Sequence, residues 1–163
     1  MRVKTRFVAL VSLALTLAVM GGAARAENLM ETAESAGKFD IWVSAIEAAG
    51  LKERLTEEGP YTVFAPTDEA FSRLPEGSVD ALLQPENRTQ LVRLVEYHLA
   101  KGRFQSGSLE GRVTHIESLQ GDEIQIEGRY NELLIDSAEA VETDIESSNG
   151  VIHAIDNVIL PHW

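Results

Sequence analysis

The sequence predicts an α+β fold in which helices come first and consecutive strands follow. In the first half, apolar residues recur at spacings of three and four, which is the helical period. From Gly111 onward, short apolar runs are separated by turn residues, as strands are. The last run, over positions 151–160, is apolar on both alternations, which is typical of a strand covered on both faces. This order favours α+β over a doubly wound sheet.

The first 26 residues have the organisation of a secretory signal peptide. Three basic residues lie within the first six positions, and the stretch Phe7 to Met20 is almost wholly apolar. Ala24-Arg25-Ala26 provides the small-x-small pattern that signal peptidases cut. The apolar stretch is shorter than the roughly 20 residues that a spanning helix needs. We predict cleavage after Ala26 and one secreted or periplasmic domain over residues 27–161; the alternative is an uncleaved anchor.

Composition limits the kinds of partner. The 163 residues include 26 acids and 14 bases, a formal net charge of −12, and loss of the signal peptide with its four cations would leave −16. Nucleic-acid binders need cations to neutralise phosphates, and anionic membrane surfaces repel an acidic chain. The lack of cysteine excludes disulfides, thiolate catalysis and thiolate metal sites. We therefore expect no nucleic-acid partner and no stable membrane anchor.

The helical half contains several residues that are typical of helix N-termini. Asn28 followed by Glu31 predicts a capping box for the first helix. Asp40 is expected to cap the second helix, and either Thr67 or Asp68 a short third one. A brief helix is expected after Ser78 as its cap.

A longer helix is predicted from Pro85 to about Leu99. Its expected buried stripe, at i, i+3, i+4 and i+7, consists of Leu91, Leu94, Val95 and His98. Tyr97 points about 100° away from His98 around the helix, so we expect it nearer the surface.

Six short runs are predicted strands. They cover positions 61–65, 113–119, 123–127, 133–136, 140–145 and 151–160. Asn149-Gly150 predicts a tight hairpin turn before the last strand. One shared core is expected to contain Phe64, Phe71, Leu94, Ile152 and Ile155.

Two long motifs and one dipeptide resemble the fasciclin-like domain family. The first motif is YTVFAPTDEAF at positions 61–71, and the second is SNGVIHAIDNVILP at positions 148–161. Between them, Tyr97-His98 resembles the family's tyrosine–histidine motif in the expected order. The resemblance extends from about Asn28 to Pro161.

The resemblance implies a wedge-shaped β-sandwich with an N-terminal helical layer. It also implies a secreted binding or adhesion module without a cofactor, in which Tyr97 and His98 contribute to binding. The expected partner is a protein or glycan of the cell envelope or extracellular matrix. The chain has no Arg-Gly-Asp tripeptide. One domain can bridge two surfaces only with a partner or through self-association, so we expect a monomer or weak self-association.

Four residues of the motifs are expected to be structural: Thr67, Asp68, His98 and Asp156. His98 is a ligand-binding or proton-transfer residue in one interpretation and a buried, hydrogen-bonded histidine in the other. The second is favoured because buried polar groups need partners. The expected partner is a polar group of the Thr67-Asp68 turn. Asp156 is expected to accept hydrogen bonds from backbone N–H groups.

No signature of catalysis or metal binding is present. The sequence lacks G-x-S-x-G, H-E-x-x-H and calcium-loop patterns. His153 and Asp156 lie on opposite alternations of the last predicted strand, which argues against a catalytic pair. We therefore predict no catalytic residue, no metal site and no enzyme. A small exported hydrolase or small-ligand carrier stays the alternative, which a pocket lined by Tyr97, a histidine and perturbed carboxylates would favour.

Overall fold

The computed structural model describes residues 25–161, so the predicted signal peptide lies outside them except for its last two residues. The helices are α1 (Leu29–Ala36), α2 (Asp40–Ala49), α3 (Lys52–Glu57), α4 (Asp68–Ser72), α5 (Ser78–Leu82), α6 (Arg88–Tyr97) and α7 (Ser106–Leu109). The strands are β1 (Tyr61–Pro66), β2 (Leu99–Lys101), β3 (Val113–Glu117), β4 (Glu123–Arg129), β5 (Glu132–Ile135), β6 (Ala138–Ser147) and β7 (Gly150–Ile155). The predicted α+β class is confirmed.

The seven strands form one sheet in the order β2-β1-β7-β6-β5-β4-β3. β1 and β7 are parallel, from Tyr61 opposite Gly150 to Pro66 opposite Ile155, and the other pairs are antiparallel. β7 lies between β1 and β6 and is buried along its whole length, as its apolar residues on both alternations predict. The carboxyl ends of the parallel pair therefore meet at one edge of the sheet.

The sheet is folded into two halves that share β6. Register shifts on β6 lie between Ala140 and Glu142 and between Glu142 and Ile145. Asp144, inside the second shift, has a φ of 58°, in the left-handed region. Such irregularities bend a strand and increase its twist. The bend brings the two ends of the strand order together, where Ala100 of β2 forms a bridge with Ser118, just after β3.

The apolar interior is two clusters rather than the single core predicted. Phe71, Leu94 and Ile152 belong to the cluster beneath the helices, whereas Phe64 and Ile155 belong to the cluster between the sheet halves. Ile152 and Ile155 are an odd number of residues apart, so their side chains lie on opposite faces of β7. All five are buried, but they cannot share one core.

The N-terminus of α1 has the predicted capping box. The Asn28 Oδ1 accepts the N–H groups of Met30 and Glu31 at 3.0 Å, and Glu31 accepts the Asn28 N–H at 2.9 Å. Thr67 caps α4 by accepting the Ala70 N–H at 3.2 Å.

Two other predicted caps were wrong. The N-cap of α2 is Phe39, and the carboxylate that caps this helix is that of Asp68, which accepts the N–H groups of Asp40 at 3.3 Å and Ile41 at 2.9 Å. Asp40 is the first residue of the helix, so it lies one position after the N-cap and does not cap the helix. Similarly, Gly77 precedes α5 without a side-chain cap, and Ser78 is its first residue.

The predicted helix from Pro85 to Leu99 is interrupted at both ends. Pro85–Asn87 forms a 3-10 turn before α6 begins. At the other end, the carbonyl of His98 accepts the Phe64 N–H at 2.9 Å, which is the first backbone link to β1. The chain therefore leaves the helix to pair as β2. The last strand also ends before position 160, because Asp156 and Asn157 bend the chain away.

Candidate functional site

His98 is fully buried at the end of α6 and hydrogen-bonded at both ring nitrogens. Its Nδ1 lies 2.7 Å from the Leu94 carbonyl oxygen, and its Nε2 accepts the Ile159 N–H at 3.3 Å. This arrangement requires the neutral ring with its proton on Nδ1. Burial lowers the pKa of His98 to about 4, against a smaller raising effect of the Leu94 hydrogen bond.

The predicted burial of His98 is confirmed, but its predicted partner was wrong. The ring bonds to Leu94 within its own helix and to Ile159 after β7, not to the Thr67-Asp68 turn. The Trp42 ring, whose centroid is 5.0 Å away, lies against it. His98 therefore fixes the end of α6 to the segment that follows the last strand.

The prediction that Tyr97 lies nearer the surface was wrong. Tyr97 is 0% exposed and belongs to the cluster between the sheet halves, whereas Leu91, Leu94 and Val95 belong to the cluster beneath the helices. Helix α6 is thus buried on two sides. The Tyr97 hydroxyl donates to Asp136 Oδ2 at 2.7 Å. Burial, and then the hydrogen bond to the Asp136 carboxylate, raise the pKa of Tyr97.

The other motif residues converge on a surface cleft of about 420 Å³ at the carboxyl ends of β1 and β7. Thr67 follows β1, Asp156 follows β7, and the Thr67 N–H donates to the Ile155 carbonyl at 3.1 Å. The cleft is lined by Lys38, Thr67, Asp68, Arg73, Val141 and Asp156. In open α/β sheets, ligands bind outside the carboxyl ends of the parallel strands, and this cleft has the same position beside the parallel pair of β1 and β7. We call this surface the carboxyl-end cleft.

Ion pairs and hydrogen bonds hold the charged groups of the cleft. Arg73 Nη1 lies 2.7 Å from Asp156 Oδ2, and the other oxygen of Asp156 accepts the Glu139 N–H at 2.8 Å. The expectation that Asp156 accepts a backbone N–H is confirmed, although the donor is on β6. Lys38 forms an ion pair with Glu142. The polar lining is therefore fixed by contacts between distant parts of the chain.

Sequence reasoning missed Lys38, Arg73 and Val141 as cleft residues. Arg73 left a weak signal, because it lies four residues after Glu69, the spacing of ion pairs on a helix. Lys38 and Val141 come from segments that only the folded sheet brings together. The cleft contains neither Tyr97 nor His98, so the structure does not place the two predicted binding residues with the other motif residues.

The second buried histidine, His153, also forms hydrogen bonds to the backbone through both ring nitrogens. His153 Nε2 lies 2.7 Å from the Phe104 carbonyl oxygen, and Nδ1 accepts the Asp144 N–H at 3.3 Å. Burial lowers its pKa. Among residues 25–161, no three His, Asp or Glu side chains are grouped to hold a metal ion. Within the same residues, every helix is too short or too polar to span a bilayer.

The helical layer, the folded sheet and the motif residues define a fasciclin-like domain. Residues 37–161 match the Fasciclin domain, and the chain belongs to this family. Protein sll1483 of Synechocystis sp. is 39% identical over 136 residues, which cover 83% of this chain and 74% of that protein. Transforming growth factor-beta-induced protein ig-h3 of Sus scrofa is 37% identical over 134 residues, 82% of this chain and 19% of that protein.

A solved structure shows the same fold. It is the FAS1 domain pair from the insect cell adhesion molecule Fasciclin I, which aligns with a TM-score of 0.73 at 17% identity. The alignment covers 83% of this chain and 51% of that one.

Proposed function

We propose that this chain is an exported, non-enzymatic binding module of the cell envelope or extracellular matrix. Its partner would be a protein or glycan, and cleavage after Ala26 would release it. Membership of the Fasciclin domain family supports this role, as does the shared fold with a cell adhesion molecule.

The proposal rests on one observation: the polar side chains of the motifs make hydrogen bonds and ion pairs within the fold. Asp68 accepts two helix N–H groups, and Asp156 holds Arg73 and a strand N–H. His98 and His153 use both ring nitrogens in backbone hydrogen bonds. A general base needs a free lone pair within reach of the proton it removes. The two histidines therefore suit a rigid scaffold better than proton transfer, and the two carboxylates support the same scaffold through their contacts with α2, Arg73 and β6.

The carboxyl-end cleft is the surface we assign to partner binding. Val141 lines it with 59% of its surface exposed, beside the Lys38–Glu142 and Arg73–Asp156 ion pairs. Protein interfaces have an apolar centre and a polar rim, and Val141 with the two ion pairs would supply both parts at this cleft. Tyr97 and His98 would then support binding by fixing α6, since their burial keeps them from touching a partner.

The alternative of a small-ligand carrier or hydrolase draws on the size of the cleft. About 420 Å³ lies within the range of small-molecule sites.

The test compares two readouts on the purified exported chain: retention by envelope and matrix fractions, and hydrolysis of chromogenic esters and glycosides. We expect retention that unlabelled chain displaces, and no turnover above buffer. Turnover proportional to protein concentration, without retention, would support the alternative.

A further inference from the structure

Strand β3 has a free edge. It pairs with β4 on one side, and the bridge from Ser118 to Ala100 lies beyond its end. The Ser118 N–H donates to Asp122 at 2.9 Å, so even-numbered positions direct their backbone groups toward β4. Val113 and His115, at odd-numbered positions, direct theirs away from β4. Their N–H and C=O groups have no partner strand in the described part of the chain.

The gap beside this edge arises because β2 is too short to fill it. β2 ends at Lys101, and Gly102, with a φ of 102°, turns the chain away. The Phe104 N–H then donates to Thr62 at 2.9 Å instead of pairing with β3. The resulting groove of about 510 Å³ is lined by Arg54, Lys101, Phe104, Ile116, Glu117 and Leu119. It combines unpaired backbone groups with a lining of mixed polar and apolar side chains.

Charge distinguishes this groove from the rest of an acidic protein. Lys101 lines it and Arg112 immediately precedes β3, and neither forms an ion pair within residues 25–161. Six other cations of the described residues each have a carboxylate within 4 Å: Lys38, Lys52, Arg54, Arg73, Arg103 and Arg129. Glu117 is the acid of the lining. Lys101 and Arg112, which have no carboxylate within 4 Å among the described residues, favour an anionic occupant along this edge.

We propose that the free edge of β3 binds an extended acidic peptide segment of a partner protein. The segment adds a strand beside β3, using the outward N–H and C=O groups of Val113 and His115. Strand addition draws affinity from backbone hydrogen bonds and specificity from alternate side chains. Acidic side chains on the segment face Lys101. This inference rests on the proposed binding function but uses a surface separate from the carboxyl-end cleft.

The test titrates the purified chain with two acetylated eight-residue peptides that alternate valine with either glutamate or lysine. Backbone amide signals are followed by nuclear magnetic resonance. Binding of the glutamate peptide should slow hydrogen exchange at the His115 amide. The Thr114 amide, already bonded to β4, should change little. The lysine peptide should bind at least about tenfold more weakly, a difference of about 1.4 kcal/mol.

Two variants test the contacts separately. His115→Pro removes an N–H that faces away from β4, so the ladder keeps its hydrogen bonds while the edge loses a donor. Lys101→Glu reverses the groove charge without altering the backbone, and Arg88→Glu makes the same change at an exposed cation outside the groove. We expect weaker binding with His115→Pro and Lys101→Glu, and unchanged binding with Arg88→Glu.

Three results would overturn the proposal. They are no saturable binding of the glutamate peptide, equal binding of both peptides, and protection of the His115 amide by self-association alone. If the peptide fails while the chain is still retained by envelope or matrix fractions, the edge proposal is wrong and the proposed binding function stands. Loss of both peptide binding and retention would contradict the edge proposal and the proposed binding function.

Discussion

The Tyr97 hydroxyl donates a 2.7 Å hydrogen bond to the carboxylate of Asp136. Asp136 follows β5 with a φ of 51°, and its other oxygen accepts the Gln125 N–H at 2.9 Å. His98, the residue after Tyr97, accepts a hydrogen bond from the N–H of Ile159, which lies after β7. The two residues of the tyrosine–histidine motif thus fix different sides of α6, one to the turn after β5 and the other to the segment after β7.

Substitutions of Tyr97 should destabilise the fold. Tyr97→Phe removes a hydrogen bond to an exposed carboxylate that water can then solvate, and should cost about 0.5–1.5 kcal/mol of unfolding free energy. Tyr97→Ala should cost about 3–5 kcal/mol, because it also leaves a cavity between the sheet halves. At the surface position expected from the sequence, Tyr97→Ala would leave the melting temperature almost unchanged, but full burial reverses that expectation. Urea unfolding measures the stability of both variants, and Tyr130→Phe, at an exposed tyrosine, is the control. Equal stability of the Tyr97→Phe, Tyr97→Ala and Tyr130→Phe variants would contradict the burial of Tyr97.

The stability of the fold should fall with acidity through His98. Burial lowers its folded pKa to about 4, below the unfolded value of 6.5. The unfolded chain therefore binds a proton first, so this contribution is complete above pH 6.5 and is lost as the pH falls toward 4. We expect His98 to account for about 2 kcal/mol lost between pH 7 and pH 5.

Urea unfolding of His98→Gln at both pH values isolates this effect. The variant should lose less stability on acidification than the unsubstituted chain. His115→Gln, at an exposed histidine, should keep the original dependence. Identical pH dependence of the His98→Gln variant and the unsubstituted chain would show that His98 titrates normally in the folded state.

The cap of α2 should depend on Asp68 and not on Asp40. Asp68→Ala removes the acceptor for two N–H groups at the helix N-terminus and should cost about 0.5–2 kcal/mol. Asp40→Ala should cost less, because that exposed side chain contributes mainly through the helix dipole. Thermal unfolding of both variants decides between them, and a larger loss with Asp40→Ala would restore the cap predicted from the sequence.

Gly150 should resist substitution because β1 approaches it closely. A Cβ at Gly150 would lie 2.1 Å from the Tyr61 carbonyl oxygen, so Gly150→Ala must push the parallel strands apart. A Cβ at Gly107 would have no neighbour within 4 Å. We expect a clear fall in melting temperature for Gly150→Ala and little change for Gly107→Ala. Similar melting temperatures would mean that the strands are less tightly joined than described.

Local patterns in the sequence predict much of this fold. The Asn28–Glu31 capping box, the two-sided apolar run of β7 and the hairpin before it depend on neighbours along the chain. The hairpin loop is Ser148-Asn149, however, and Gly150 already belongs to β7. A glycine is needed at position 150 because β1 approaches it closely at Tyr61, and no local sequence pattern shows this contact.

Contacts between distant segments explain what sequence reasoning missed. The Asp68 cap acts on a helix 28 residues earlier in the chain, and helical periodicity cannot show that α6 is buried on two sides. Helices α3 and α7 and strand β2, which are six, four and three residues long, were not predicted. The carboxyl-end cleft likewise joins Lys38, Arg73 and Val141 only after the sheet has formed.

Retention by envelope and matrix fractions after blocking the carboxyl-end cleft tests the central claim most directly. Val141, inside the cleft, and Leu160, outside its lining, are 59% and 58% exposed, so Val141→Trp and Leu160→Trp form a matched pair. With both variants folded as judged by their melting temperatures, we predict that Val141→Trp loses retention while Leu160→Trp keeps it. Equal retention of the two variants would contradict the assignment of binding to this cleft.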